Sequence, residues 1–196
     1  MDLNASKIKA IHSARQIIGQ NPLYLDTETT GTGQDAEIVE ICLIDDASQV
    51  IYSSLVRPVK PIHPDVSKIH GITNGMVRNA PSWLEIHSQI SAFMDNRLVG
   101  VYNADFDLRM IRQSCHMVQL TWQSNAQFFC IMKLYAQYRG EWNYTHRDYR
   151  WHSLESAGLY SKIPLENSHR ACDDARLARA VLHHVADQNI NLTAPG

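Results

Sequence analysis

Two acidic side chains, Asp26 and Glu28, stand two residues apart at the end of the apolar run Leu23-Tyr24-Leu25. The run predicts a strand over residues 23–27, and side chains at positions i and i+2 of a strand project from the same face. Both carboxylates should therefore point toward one spot, where like charges repel each other unless a cation lies between them. Because divalent metals prefer oxygen ligands, the pattern predicts a metal site at the end of this strand.

Length and composition fit one folded domain. The chain has 196 residues, and we predict a single domain over 1–196, with an N-terminal helix at about 5–19 and a core at about 22–188. Hydrophobic residues make up 44% of the chain, which favours a globule over a disordered polymer. The net charge of -2 provides no global basic field for a nucleic acid, although bound metal would reverse the local sign.

The cysteines lie far apart and form no C-x-x-C pair, so we expect neither a zinc cage nor a disulfide framework. This usage favours a reducing, cytoplasmic location. The first residues lack the basic head and apolar core of a secretory signal, and no apolar run approaches the roughly 18 residues that span a bilayer. We therefore expect a cytoplasmic protein without a membrane partner. The cysteines are Cys42, Cys115, Cys130 and Cys172.

Hydrophobic periodicity and turn signals predict three strands, followed by strands that alternate with helices. This order indicates an α/β fold with a mixed sheet and helices packed on it. The turn residues at 45–48 favour an antiparallel meander for the first three strands. Strands are expected at 23–27, 37–45, 50–56 and 97–102. Helices are expected at 5–19, 66–70, 82–94, 104 or 105 to 117, 130–138, 151–157 and 171–187.

Two further acids, Asp107 and Asp174, each begin an apolar stripe on a predicted helix. Steps of three and four residues from Asp107 reach Met110, Ile111, Ser114 and Cys115. The same steps from Asp174 reach Leu177, Ala178, Val181 and Val185. Such stripes face the sheet, and a carboxylate there is costly unless it is paired or binds metal. The spacing therefore predicts four acids at one end of the sheet, namely Asp26, Glu28, Asp107 and Asp174.

His169 lies five residues before Asp174, ahead of the last predicted helix or in its first turn. It is therefore expected to reach the same site. A neutral imidazole beside metal-bound water can accept its proton near neutral pH. Two divalent ions would hold the attacking and leaving oxygens of a phosphodiester. Together these residues indicate in-line hydrolysis by an activated water.

Three segments resemble the exonuclease motifs of the DnaQ-like (DEDDh) 3′-to-5′ exonuclease superfamily, in the same order. They are D-T-E-T-T-G at 26–31, Y-N-A-D-F-D at 102–107 and H-R-A-C-D-D-A at 169–175. The resemblance runs from about residue 23 to residue 185 and includes bacterial exonucleases of the DNA polymerase III epsilon-subunit type. It implies a ribonuclease H-like fold with a central mixed five-stranded sheet flanked by helices.

The same resemblance assigns roles to the acids and the histidine. Asp26, Glu28, Asp107 and Asp174 match the metal ligands, and His169 matches the general base. It implies two Mg²⁺ or Mn²⁺ ions in each active site and the release of nucleoside 5′-monophosphates from a 3′ end.

Substrate contacts are expected from residues beside the motifs. The segment Ile69-His70-Gly71-Ile72-Thr73 resembles a loop that lies near the terminal nucleotide in relatives, which makes His70 a candidate. Thr29 and Thr30 are expected to present backbone N–H or hydroxyl groups to that nucleotide, and Tyr102 and Asn103 are further candidates. Tyr102 stands where many bacterial proofreading subunits carry histidine, so the substrate preference stays open.

We predict a metal-dependent 3′-to-5′ exonuclease that acts on single-stranded or frayed DNA ends. An exoribonuclease of the same superfamily is an alternative, since the contacts to the 2′-OH that distinguish RNA are not evident in the sequence. A non-catalytic, nucleic-acid-binding accessory module of a polymerase is an alternative of another class, against which the complete set of five residues speaks. A short end after the last motif favours a free-standing enzyme, while a DNA polymerase or repair partner and a homodimer are left open.

Overall fold

A five-stranded sheet forms the centre of the computed structural model, which describes residues 3–165 and 167–189. Residues 1–2, 166 and 190–196 of the predicted domain lie outside the described residues. The strands are β1 (Leu23–Thr29), β2 (Ile38–Ile44), β3 (Val50–Leu55), β4 (Leu98–Val101) and β5 (Gln127–Cys130). They lie in the order β3-β2-β1-β4-β5. The first three form an antiparallel meander, whereas β4 pairs in parallel with β1 and β5, so the predicted mixed sheet is confirmed.

Helices cover both faces of this sheet. They are α1 (Leu3–Ile18), α2 (Pro64–His70), α3 (Asn74–Val77), α4 (Trp83–Met94), α5 (Ala104–Met117), α6 (Ile131–Arg139), α7 (Leu154–Tyr160) and α8 (Ala171–Ala186). Two short strands, β6 (Trp142–Asn143) and β7 (Asp148–Tyr149), form a separate antiparallel ladder. Every helix within 3–165 and 167–189 is too short or too polar to cross a bilayer.

Alternation along β1 separates two packing layers. Tyr24 packs into a core cluster with residues of α1, α6 and α8, whereas Leu23 and Leu25 pack into a second cluster with residues of α4 and α5. Because strand side chains alternate with period two, Asp26 and Glu28 share the face of Tyr24. The first acidic pair therefore lies on the α8 side of the sheet.

The apolar stripes predicted for the last two long helices are buried as expected. On α5, the residues in the stripe that begins at Asp107 are buried, and on α8 the same holds for the stripe that begins at Asp174. Both acids are themselves buried, with exposed fractions of 4% and 5%. The packing of these two stripes against opposite faces of the sheet carries the acids toward one end of β1.

Some elements differ from their predicted bounds. The strand β5 is not indicated by periodicity because it has only four residues, and a helix was predicted from its last residue. The helix predicted at 151–157 begins at Leu154 and ends at Tyr160. Its start is set by Ser153, whose Oγ accepts a hydrogen bond from the N–H of Ser156 at 3.1 Å, as an N-cap does.

Cys42 of β2 and Cys172 in the first turn of α8 form a disulfide across 130 positions of the chain. The expectation that the cysteines would form no disulfide is therefore wrong for this pair. Spacing gave no sign of it because the two residues meet only when α8 packs on β2. Cys115 and Cys130 are free thiols.

Candidate active site

Three carboxylates meet beside the end of β1. Oxygen atoms of Asp26, Glu28 and Asp174 all lie within 4.8 Å of one another. The antiparallel register with β2 shifts between Glu28 and Thr29, so the pairing is irregular directly after the acidic pair. Such irregularities at the edge of a ladder aim side chains away from the regular pleat. The fold thus brings acids from two distant motifs into one cluster.

Asp107 reaches the same site from α5, on the other face of the sheet. Its Oδ1 accepts a hydrogen bond from the Thr27 hydroxyl at 2.7 Å, and both groups are buried. A cavity of about 200 Å³ is lined by all four acids, together with Thr27, Tyr102, Asn103, Phe106, Leu154 and Asn167. The four predicted metal ligands therefore border one cavity at the end of β1.

His169 lies next to Asp174, one of the acids that line this cavity. Its Nδ1 lies 4.0 Å from Oδ2 of Asp174, and half of its side chain is exposed. The residue has a φ of 52°, a left-handed conformation that histidine adopts more readily than most residues. This conformation turns the chain immediately before α8 begins at Ala171. The imidazole is thus close to the acids and remains accessible to water.

Burial raises the pKa of every acid in the cluster, and repulsion from neighbouring acids adds to the rise for Asp26 and Glu28. For Asp26, burial and then the charges of Asp107 and Glu28 raise the pKa well above its ordinary value. Burial, followed by the charge of Asp174, raises the pKa of Glu28 to about 8. Burial raises the pKa of Asp107 to about 7, against the opposing hydrogen bond from Thr27.

Asp174 follows the same pattern to a smaller extent. Burial raises its pKa to about 6, and the neighbouring His169 opposes the rise. Closely spaced carboxylates that are hard to ionise gain most from a bound cation, because its charge removes their repulsion. Their oxygen atoms are also the donors that Mg²⁺ and Mn²⁺ prefer. The residues present therefore fit a divalent metal.

Two of the predicted substrate residues, Tyr102 and Asn103, line the cavity. The Tyr102 hydroxyl donates to the backbone carbonyls of His152 and Ser153, at 3.0 and 3.2 Å. It thereby connects the cavity wall to the segment that precedes α7. Asn103 is exposed and lies at the N-cap position of α5. Their roles as substrate contacts stay predictions.

Thr29, Thr30 and His70 use their polar side-chain atoms within the protein. The Thr29 hydroxyl donates to the Gly31 carbonyl at 2.7 Å, and Oγ1 of Thr30 accepts from the N–H of Glu37 at 3.0 Å. Together they hold the turn that follows β1.

The buried His70 ring connects α2 to the end of β1. Its Nδ1 accepts from the N–H of Ile72 at 3.0 Å, so the proton lies on Nε2, which donates to the Thr29 carbonyl at 3.1 Å. Burial lowers the pKa of His70, which favours this neutral form. The ring thus braces the backbone next to the acidic cluster.

Asn167 also belongs to the site, although the motifs do not indicate it. With its amide nitrogen turned toward the acid, the orientation that satisfies both amide atoms, Asn167 donates to Oδ2 of Asp174 at 3.0 Å. The same nitrogen lies 3.3 Å from Nδ1 of His169. The sequence offered one indication that Asn167 belongs to the site. It lies two residues before His169, in a segment with no regular structure.

Comparison with known proteins agrees with this geometry. The exonuclease family model RNase_T matches residues 23–182. The uncharacterised exonuclease CP81 of Escherichia phage 186 is 38% identical over 179 residues, which are 88% of this chain and 92% of that protein. The DNA polymerase III subunit epsilon of Treponema pallidum (strain Nichols) is 31% identical over 172 residues, 84% of this chain and 77% of that protein.

A solved structure shares the fold. Exonuclease X in complex with 5′ overhanging duplex DNA superposes with a TM-score of 0.62 and 27% identity, over 83% of this chain and 89% of that chain. The predicted resemblance to DnaQ-like exonucleases and the ribonuclease H-like fold are thereby confirmed. Motifs, fold and the family match over residues 23–182 lead to one conclusion: the chain belongs to the RNase_T exonuclease family.

Proposed function

We propose that this exonuclease removes nucleotides one at a time from the 3′ end of single-stranded or frayed DNA and releases nucleoside 5′-monophosphates. The observation that carries the proposal is the cluster of Asp26, Glu28 and Asp174, whose oxygens lie within 4.8 Å of one another in a cavity that Asp107 also lines. A DNA substrate is supported by two similar proteins, a polymerase subunit and an exonuclease bound to duplex DNA.

The four acids would hold two divalent cations, Mg²⁺ or Mn²⁺. Bound there, the cations supply positive charge that stabilises the phosphate as negative charge develops in the transition state. Asp26 and Glu28 contribute from β1, Asp107 from α5 and Asp174 from α8. Because these elements belong to the packed core, the ligands are held without a large loss of side-chain freedom on binding.

His169 accepts the proton of the attacking water. Its place 4.0 Å from Asp174 keeps the imidazole beside the site, and its exposure lets the accepted proton pass to solvent. Asn167, which lies between the two side chains, orients both of them. Tyr102 and Asn103 contact the terminal nucleotide from the cavity wall. Thr29, Thr30 and His70 shape the turn after β1, where backbone groups meet that nucleotide.

The proposal includes a cellular location and partners for the enzyme. We place it in the cytoplasm, and the similarity to an epsilon subunit supports a role beside a DNA polymerase or in repair. Light scattering of the purified protein, alone and after digestion of DNA, would show whether a homodimer forms.

A digestion assay tests the function. A single-stranded DNA labelled at its 5′ end should give a ladder of shortening products with Mg²⁺ or Mn²⁺, and the released product should be nucleoside 5′-monophosphate. Asp26→Ala and Asp107→Asn should abolish release and leave the circular dichroism spectrum unchanged. Asp105→Asn and Asp173→Asn are matched controls, because these neighbouring acids are exposed, and both variants should stay active.

Two results would contradict the proposal. Undiminished release by Asp26→Ala or Asp107→Asn, or by the wild type in excess chelator, would remove the metal site from the reaction. Faster digestion of a matched RNA oligomer than of DNA would replace the DNA exonuclease with an exoribonuclease.

A further inference from the structure

Glu40 places a carboxylate in the middle of a buried strand. It is 7% exposed, and every residue of β2 is buried. The remaining residues of that strand are apolar, from Ile38 to Ile44. An ionised carboxylate in such surroundings is costly unless charged partners and hydrogen bonds compensate for the lost water. The groups that contact the Glu40 carboxylate therefore indicate its role in the structure.

Among the described residues, the hydrogen bonds that the Glu40 carboxylate accepts come from the start of α8. Oε2 accepts from Nε of Arg170 and from the backbone N–H of Ala171, each at 3.0 Å. Oε1 accepts from Nη2 of Arg170 at 2.5 Å. The guanidinium thus forms a bidentate contact with the carboxylate, which fixes the relative orientation of the two groups as well as their distance.

This arrangement caps α8 from a different element. Ala171 is the first residue of the helix, where backbone N–H groups lack partners within the helix. A negative charge at a helix N-terminus is also favourable for the helix dipole. Glu40 supplies both the acceptor and the charge, while the Arg170 side chain turns toward Glu40.

The capped turn carries two parts of the active site. Asp174 lies in the first turn of α8, and His169 directly precedes the N-cap residue Arg170. On the other side, Glu40 is the register partner of Glu28 in the antiparallel pair of β1 and β2. One carboxylate therefore links the strand pair that carries the first motif to the helix that carries the third.

We propose that Glu40 and Arg170 are a positioning pair, which sets Asp174 and His169 against Asp26 and Glu28 and thereby determines the metal affinity and turnover of the site. The inference rests on the proposed function and deepens it. Neither residue is among the ten site residues indicated by the motifs. The pair acts through the ligands it holds and does not touch the substrate.

Two substitutions test the pair separately. Glu40→Gln removes the negative charge and frees the Arg170 guanidinium. Arg170→Gln removes the bidentate contact with Glu40. Each should raise the dissociation constant for Mn²⁺, measured by calorimetry without DNA, by about 10- to 100-fold, as loss of groups that support metal ligands does. Each should also lower kcat at saturating Mn²⁺ by about 10-fold or more, with a smaller change in KM for the oligonucleotide.

The double variant tests whether the residues act as one unit. Glu40→Gln with Arg170→Gln should cost no more than the worse single change, because both remove the same contact. Additive losses would show that the residues act independently and would overturn the pairing. The Cys42–Cys172 disulfide ties the same turn to β2, so we expect these variants to fold. Arg170→Lys keeps the charge and should fall between wild type and Arg170→Gln.

Glu37→Gln is the matched control. Glu37 is also a buried acid, with 3% exposure, but its carboxylate accepts from the backbone N–H groups of Val59 and Lys60 and not from α8. It should lower the melting temperature and leave the Mn²⁺ affinity unchanged.

The outcomes separate this inference from the proposed function. If Glu40→Gln and Arg170→Gln lower only the melting temperature, as Glu37→Gln does, the pair is structural and the inference fails. If the wild type itself neither binds Mn²⁺ nor releases nucleotides, the proposed function fails first. Should Glu40→Gln not fold, the Mn²⁺ affinity of Arg170→Gln decides: a value within about twofold of wild type rejects the positioning role.

Discussion

The Thr27 hydroxyl donates to Oδ1 of Asp107 at 2.7 Å, which joins the second residue of the first motif to the last residue of the second motif. Asp26 and Glu28 project from one face of β1, and Thr27 projects from the other toward α5. The same strand therefore provides two acids to the cluster and the hydrogen bond that holds a third acid. The hydrogen bond also lowers the pKa of Asp107, against the larger effect of burial.

Replacing Thr27 should move the pH dependence of activity. In Thr27→Val the donor is lost, so the pKa of Asp107 rises above its value of about 7 and less of the acid is ionised at neutral pH. We expect the acidic limb of the pH–rate profile, at fixed Mn²⁺, to shift to higher pH. Thr27→Ser keeps the hydroxyl and should retain the wild-type limb. An unshifted limb in Thr27→Val would show that the hydrogen bond does not affect Asp107.

The metal-free protein should lose stability as the pH rises. The folded protein holds the pKa of Glu28 at about 8, that of Asp107 at about 7 and that of Asp174 at about 6, all above the ordinary values of 4.5 and 3.8. Over that interval the folded state binds more protons than the unfolded state, so the free energy of unfolding falls with rising pH. Each titrating acid contributes at most about 1.4 kcal/mol per pH unit between about pH 4 and pH 8.

Thermal melts in chelator, from about pH 4 to about pH 9, would measure this fall. Glu28→Gln should reduce the slope because one titrating acid is gone. Saturating Mg²⁺ should stabilise the protein most at the alkaline end, where the acids are ionised. A melting temperature that rises across this range in chelator would contradict the raised pKa values.

Removing the imidazole should slow the reaction without emptying the metal site. His169→Ala lacks the group that accepts the proton, so kcat should fall by about 100-fold or more, the usual effect of losing a general base. The Mn²⁺ dissociation constant should stay close to that of the wild type, because the four acids are intact. His116→Ala, at an exposed position of α5, is the control and should keep full activity. Equal loss of metal binding and turnover in His169→Ala would assign His169 to the ligands.

The disulfide should contribute measurably to stability. Cys42 and Cys172 close a loop of 130 positions, and in the chain-entropy account a loop of that size stabilises the folded state by about 5 kcal/mol. Cys172→Ala should lower the free energy of unfolding by about that amount in urea titrations. Dithiothreitol should destabilise the wild type to a similar level and leave Cys172→Ala unchanged. Equal stability of oxidised and reduced wild type would show that the bond adds nothing to the fold.

Local patterns in the sequence were sufficient to predict the strand and the helices that position the acidic residues. The spacing of Asp26 and Glu28 after an apolar run depends only on the two-residue repeat of a strand, and β1 includes the predicted strand. The burial of the stripes that begin at Asp107 and Asp174 depends on the helical repeat alone. Such periodicities are set by backbone geometry, so they can be recognised in the sequence without knowing which elements pack together.

Tertiary structure decided the features that join distant parts of the chain. The four-residue strand β5 is defined by its parallel pairing with β4, and Cys42 meets Cys172 only when α8 lies on β2. The capping of α8 by Glu40 and the contact of Asn167 with Asp174 arise in the same way. The sequence by itself determined the strands β1 to β4, the longer helices and the acidic motifs. Packing between elements decided which side chains outside the motifs support that site. Contacts between residues so far apart in the chain leave no local periodicity in the sequence.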